Sequence, residues 1–194
     1  MRSSTPRDMS GVCPRCFLKV DLCLCSELTR VRSNIRIVIV RHVREEWLTS
    51  NTGRLAALML SNVSVVPYGG REPFDEGPLH GDDTWLLYPD AKSAAPRGRP
   101  QRLVLLDATF RQARRMYKKI PGLRLLQQCA LTAPEQRTPG RRRSPRSDGL
   151  STIEAIAAAL AQFESPELAA PLMTAYAEFV RRADISRGRK RTYG

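Results

Sequence analysis

The chain reads as an α/β protein: a mostly parallel sheet with helices on both faces. Three observations predict this. Short apolar runs bounded by polar residues recur along the chain, as buried strands do. Helix-compatible segments lie between several of them, which favours parallel crossovers. Ser151-Thr152-Ile153-Glu154 spells a capping box at the head of an alanine-rich helix.

The elements follow in order. Residues 1–11 read as a disordered N-terminus, and residues 12–30 as a small cysteine-rich segment. Residues 31–186 form the α/β domain, and 187–194 a basic tail. Ile35 to Val40 is almost wholly β-branched and predicts the first strand. Asn51 or Thr52 caps a helix with Leu55, Leu58 and Met59 on its apolar face. Val63 to Val66 is a second strand, ended by Pro67 and Gly69-Gly70. After a loop over 71–82, Thr84 to Tyr88 is a third strand, stopped by Pro89. Leu103 to Leu106 is the fourth. Its following helix places Phe110, Ala113, Tyr117 and Ile120 on one face. Arg111, Arg114, Arg115, Lys118 and Lys119 occupy the others. A fifth strand is expected within Leu123 to Leu131. A basic loop then leads to the capped helix, and Pro166 opens a last helix reaching about Ile185.

Charge is the strongest bulk fact. Lys and Arg number 32 against 19 Asp and Glu, a formal net charge of +13, so a polyanion such as nucleic acid is the expected partner. No apolar run is long enough for a membrane helix, and Met1 to Gly11 lacks a signal-peptide core. The expected location is the cytoplasm, with no membrane and no obligate protein partner. Glycine-rich nucleotide loops of both common kinds are missing, which argues against ATP, GTP and NAD chemistry.

Three groups of residues carry candidate chemistry. Asp107 ends the fourth strand, where open α/β sheets place ligands. The competing reading is that Asp107 or Thr109 only caps the next helix. Cys13-x-x-Cys16 and Cys23-x-Cys25 place four thiols in one short segment, as for a structural zinc; free thiols or a redox pair are the alternative. Cys129 reads as core. Gly149 to Thr152 presents a helix N-terminus to a carboxylate or phosphate, unless Ser151 and Glu154 satisfy it themselves. His42, just after the first strand, can line the same edge as Asp107.

Several motifs in order resemble the DTW-domain family, tRNA-uridine aminocarboxypropyltransferases related to the SPOUT RNA methyltransferases. They are the cysteine cluster, Thr52-Gly53-Arg54-Leu55, Leu87-Tyr88-Pro89, Leu106 to Ala113, and Gly149 to Ala155. Phe110 stands where the family has Trp. The literal Asp83-Thr84-Trp85 begins a strand and lacks the intervening residue. The resemblance implies a SPOUT-like sheet with a C-terminal trefoil knot. It implies S-adenosylmethionine as donor of an aminocarboxypropyl group to a tRNA uridine. Asp107 would then be proton acceptor or orienting group, supported by Thr109. Tyr88, Pro89, Leu150, Ser151 and Thr152 would bind the donor. Phe110, Arg54, His42, Arg141, Arg142 and Arg143 would bind the substrate, with Arg54 taking a phosphate or the donor carboxylate. Cys13, Cys16, Cys23 and Cys25 would hold zinc. A SPOUT-type RNA methyltransferase and a non-catalytic, zinc-stabilised RNA-binding protein are the alternatives.

Overall fold

The computed structural model describes residues 10–88, 98–131 and 149–188. Five strands form one sheet: β1 (Arg36–His42), β2 (Val63–Tyr68), β3 (Thr84–Leu87), β4 (Arg102–Asp107) and β5 (Gln127–Cys129). The order is β2-β1-β4-β3-β5, and every pairing is parallel. All five carboxyl ends therefore share one rim. The helices are α1 (Val43–Glu46), α2 (Thr52–Met59), α3 (Phe110–Lys119), α4 (Pro121–Leu125), α5 (Thr152–Phe163) and α6 (Ala169–Ile185). None of the described helices is long and apolar enough to cross a membrane.

Side chains alternate across a strand, so each central strand feeds two cores. Ile37, Ile39, Leu103 and Leu105 face one way, against α2, α5, α6 and the cysteine segment. Val38, Val40 and Val104 face the other way, against Met116, Ile120 and Leu123 of the α3–α4 region. These strand residues are almost fully buried, which accounts for the near-continuous apolar runs. The expected α/β sheet with helices on both faces is thus observed. The expected knot turns on the path of residues 132–148, which lie outside the described residues.

Three local expectations differ from the structure. Pro67 lies inside β2 and does not end it; β2 is an edge strand, where a missing N–H is tolerated. In α3 the buried residue is Met116, which lies between the positions assigned to the apolar face, while Phe110 and Tyr117 are only half-buried. Between α3 and β5 the chain forms the short helix α4, opened by Pro121 in the first turn. Of the two caps expected for α2, Asn51 is the one that forms, accepting the Arg54 N–H at 2.7 Å.

Candidate active site at the rim of the sheet

Period-two alternation builds the centre of the site. Arg41 continues the row Ile37, Ile39, and Asp107 continues the row Leu103, Leu105, so both point to the same face. They are also register partners across β1 and β4. Arg41 Nε donates to Asp107 Oδ2 at 2.8 Å, and both residues are buried. Asn51 Nδ2 donates to the same oxygen at 2.7 Å, and Thr152 Oγ1 donates to Oδ1 at 2.9 Å. A buried carboxylate needs such partners. Asp107 thereby joins β1, β4 and the first turns of α2 and α5.

Gly53 shows how close the approach is. A Cβ added there would lie 2.6 Å from Asp107 Oδ2. Glycine in the first turn of α2 therefore lets the carboxylate sit against a helix N-terminus, where the partial positive charge favours an anion. This explains the glycine of Thr52-Gly53-Arg54-Leu55 in physical terms.

The cap on α3 is Thr109. Its backbone N–H and its hydroxyl both donate to Gln112 Oε1, at 2.8 and 2.7 Å. Asp107 is free of that task. At α5, Glu154 reaches back to the Ser151 N–H at 2.8 Å. Ser151 is the other half of that capping box.

Two guanidinium nitrogens, Arg41 Nη2 and Arg54 Nε, are buried without a partner among the described residues. Buried donors are seldom left unmade. Arg54 projects from α2 over the Phe17 ring, 3.5 Å from its centroid, and donates through Nη2 to the Glu46 carbonyl. Burial first, then repulsion from Arg41, pulls the Arg54 pKa down to about 10. The Asp107 cluster thus presents excess positive charge and open N–H donors, a combination that suits an anionic ligand.

Other candidates occupy the same rim but the opposite face. His42 ends β1 and caps α1 by accepting the Arg44 N–H through Nδ1 at 3.1 Å. Its ring meets Tyr68, its register partner, edge-on. Burial, then the charge of Arg44, lowers its pKa below 6.5. Tyr88 stacks on Tyr117 with centroids 4.8 Å apart, beside Leu106 and Ala108. Tyr88 therefore shares the rim with Thr152 but not the face. Leu150 is half-buried just before Ser151, and Phe110 opens α3. Pro89 and Arg141, Arg142 and Arg143 lie outside the described residues. The basic side chains of α3 (Arg111, Arg114, Arg115, Lys118 and Lys119) are all exposed.

The four cysteines come together. Their sulfurs lie within 4.8 Å of one another, with Cys13–Cys25 and Cys16–Cys23 each at 3.8 Å. A tetrahedral zinc with bonds of about 2.3 Å sets sulfurs about 3.8 Å apart, so the set fits that metal. Cys129 is fully buried in the core, and burial pushes its thiol up to about 12.

Arg41, Asn51 as a partner of Asp107, Phe17 and Trp47 escape the sequence reading. A charged residue closing a β-branched run, and a glycine in a helix's first turn, are the signals that point to Arg41 and Gly53.

Compared with known families, the chain matches the family described as DTW domain over residues 10–184. It is similar to a protein named tRNA-uridine aminocarboxypropyltransferase 2 from Drosophila melanogaster. The two are 32% identical over 182 residues, covering 86% of this chain and 72% of that protein. No solved structure matches.

Proposed function

The chain belongs to the DTW-domain family, and from that premise we propose that it is a tRNA-uridine aminocarboxypropyltransferase. In this reading it takes the 3-amino-3-carboxypropyl group of S-adenosylmethionine to N3 of a uridine. The uridine nitrogen attacks the carbon bonded to sulfur, the C–S bond breaks, and its electron pair leaves on methylthioadenosine. The imide proton passes to a base.

The observation that carries the reading is the buried Asp107 cluster, with N–H donors on Arg41 and Arg54 that have no partner among the described residues. The donor's three C–S bonds are chemically similar, so the enzyme must select one by orientation. A carboxylate held by Arg41 and Arg54 would fix the transferred chain and leave the nucleoside to the other rim residues. Leu150, Ser151 and Thr152, at the head of α5, would complete this side of the donor site. A carboxylate has about four acceptor positions, and three on Asp107 are taken. The remaining one would orient the donor ammonium or take the uridine imide proton. Thr109 supports Asp107 by fixing the turn into α3. Tyr88, Pro89, His42 and Phe110 would border the nucleoside and base. The base must leave its stack to reach this rim. The α3 cations and Arg141, Arg142 and Arg143 would hold tRNA phosphates, and the cytoplasm is the proposed location. The four cysteines would hold one structural zinc with no open position for catalysis.

The test is mass spectrometry of tRNA nucleosides after reaction with S-adenosylmethionine. The expected product is 3-(3-amino-3-carboxypropyl)uridine with methylthioadenosine released. A methylated nucleoside with S-adenosylhomocysteine would establish methyl transfer instead. Unmodified tRNA that still binds would establish RNA binding without catalysis.

A further inference from the structure

The residue after the second cysteine has an unusual backbone. Phe17 sits at φ +61°, in the left-handed region that bulky residues rarely enter. Such strain persists only where the surroundings over-determine it. Here the surroundings are the cysteine turn: the Phe17 N–H donates to the Cys13 carbonyl at 2.9 Å, and the Cys13 N–H to the Leu18 carbonyl at 2.8 Å. The turn thus aims an aromatic side chain out of the knuckle.

The ring is buried between two residues from the other side of the site. It lies beneath the Arg54 guanidinium at 3.5 Å, and it stacks on Trp47 with centroids 6.2 Å apart and planes 14° from parallel. Trp47 is the C-cap of α1, and the carbonyl of neighbouring Glu46 accepts from Arg54 Nη2. Two contacts, one aromatic and one polar, therefore fix the guanidinium. The far side of the knuckle is clamped as well: Arg182 of α6 donates to the Cys23 carbonyl at 2.8 Å and pairs with Glu27 and Glu178.

We propose that Phe17 is a positioning residue: the four-thiolate metal centre locks the turn that sets its ring against Arg54, and so tunes the grip of Arg54 on the donor carboxylate. The metal centre is then a brace for substrate binding as well as a staple for a small segment. The inference rests on the reading of Arg54 given under Proposed function.

The experiment uses the full zinc-loaded chain and compares Phe17→Leu, Phe17→Tyr, Arg54→Gln and the double variant F17L/R54Q. Zinc content, S-adenosylmethionine binding by calorimetry and tRNA binding at fixed salt are measured for each. Phe17→Leu is expected to keep its zinc and its tRNA affinity while donor affinity falls about three- to tenfold, the range of one partly desolvated cation–π contact. Phe17→Tyr should restore the donor affinity. The double variant should bind donor no more weakly than Arg54→Gln alone, because the ring acts only through the guanidinium. If Arg54→Gln weakens donor binding but Phe17→Leu does not, or if the two losses add, the positioning role is overturned and the reading of Arg54 stands. If Arg54→Gln leaves donor affinity unchanged, both fall. Phe17→Met, closer in volume, replaces Phe17→Leu if that variant loses zinc, and the same outcomes decide. Chelating the metal from the wild-type chain should lower donor affinity by a similar factor and add nothing to Phe17→Leu; unchanged affinity without metal overturns the brace.

Discussion

Asp83-Thr84-Trp85 and Asp107-Ala108-Thr109-Phe110 offer nearly the same side chains at opposite ends of neighbouring strands. Asp83 is exposed before β3, with φ +47°, a conformation aspartate tolerates in turns. Thr84 donates to the Gly81 carbonyl, and Trp85 is buried edge-on against Phe163. That stretch starts a strand and fills the core. Asp107 ends β4, is buried, and gathers three donors from three different segments. The difference teaches that position on the sheet, not residue type, makes the site. Helix N-termini and their unsatisfied N–H groups collect at the carboxyl ends of parallel strands.

Substitutions can break or sharpen this contrast. The largest effect is expected at Asp107. Asp107→Ala strands a buried Arg41 guanidinium, so it should lower stability by about 3–5 kcal/mol and abolish transfer in the nucleoside assay. Asp107→Asn, which keeps the shape, should fold better and still fail to transfer. Asp83→Ala should cost only about 1 kcal/mol, from its left-handed backbone, and keep full activity. Comparable losses at the two aspartates would end the contrast.

Gly53→Ala comes next. Its new methyl group meets Asp107 Oδ2 at 2.6 Å, and that carboxylate is pinned by Arg41 and Asn51. A cost of about 1–3 kcal/mol is expected, with transfer reduced about a hundredfold by misplacement of the cluster. Calorimetric melting and single-turnover rates check the two parts. Full activity in this variant would mean that the close approach is dispensable.

Phe110 sharpens the comparison of aromatics, since Trp85 is core and Phe110 is half-exposed at the rim. Phe110→Ala should lower tRNA modification about tenfold, the value of one base–aromatic stack. Phe110→Trp should retain it. Equal rates in all three proteins would remove Phe110 from substrate contact.

The smallest effect is a pH dependence. Burial and Arg44 lower the His42 pKa, so the folded state binds that proton less readily than the unfolded chain. The stabilising contribution is present above pH 6.5 and is lost as pH falls through the lowered folded value. Unfolding midpoints of wild type and His42→Asn, which can still accept the α1 cap bond, should converge in shape above that pH and differ below it. Identical curves would show that His42 does not titrate on folding.

What the sequence disclosed follows from range. The strands, the Thr109 cap and the Glu154 reach-back depend on residues within a few positions of each other, and these were legible. The family motifs also marked Asp107, Gly53, Arg54 and Thr152 without saying what touches what. The Arg41, Asn51 and Thr152 bonds to Asp107 join distant segments, and no local pattern encodes them. The same holds for Phe17, which meets Arg54 only after the knuckle packs beside α2. On α3 the sequence marks Tyr117 and Ile120, which do pack in the core, but not Met116, whose full burial is decided by the docking angle of the helix.

Arg182 ties the carbonyl of Cys23 to Glu27, while Tyr176, Phe179 and Val180 of α6 share one core with Cys13, Cys16 and Leu24. The cysteine segment is therefore roofed by α6, more than a hundred residues later in the sequence. During synthesis the cysteines emerge long before the helix that covers them, and domains generally complete their packing only when such distant partners are present. A chain cut short before α6 would leave the knuckle uncovered and Phe17 without its fixed base. Assembly of the site thus reports on whether α6 has been made and docked.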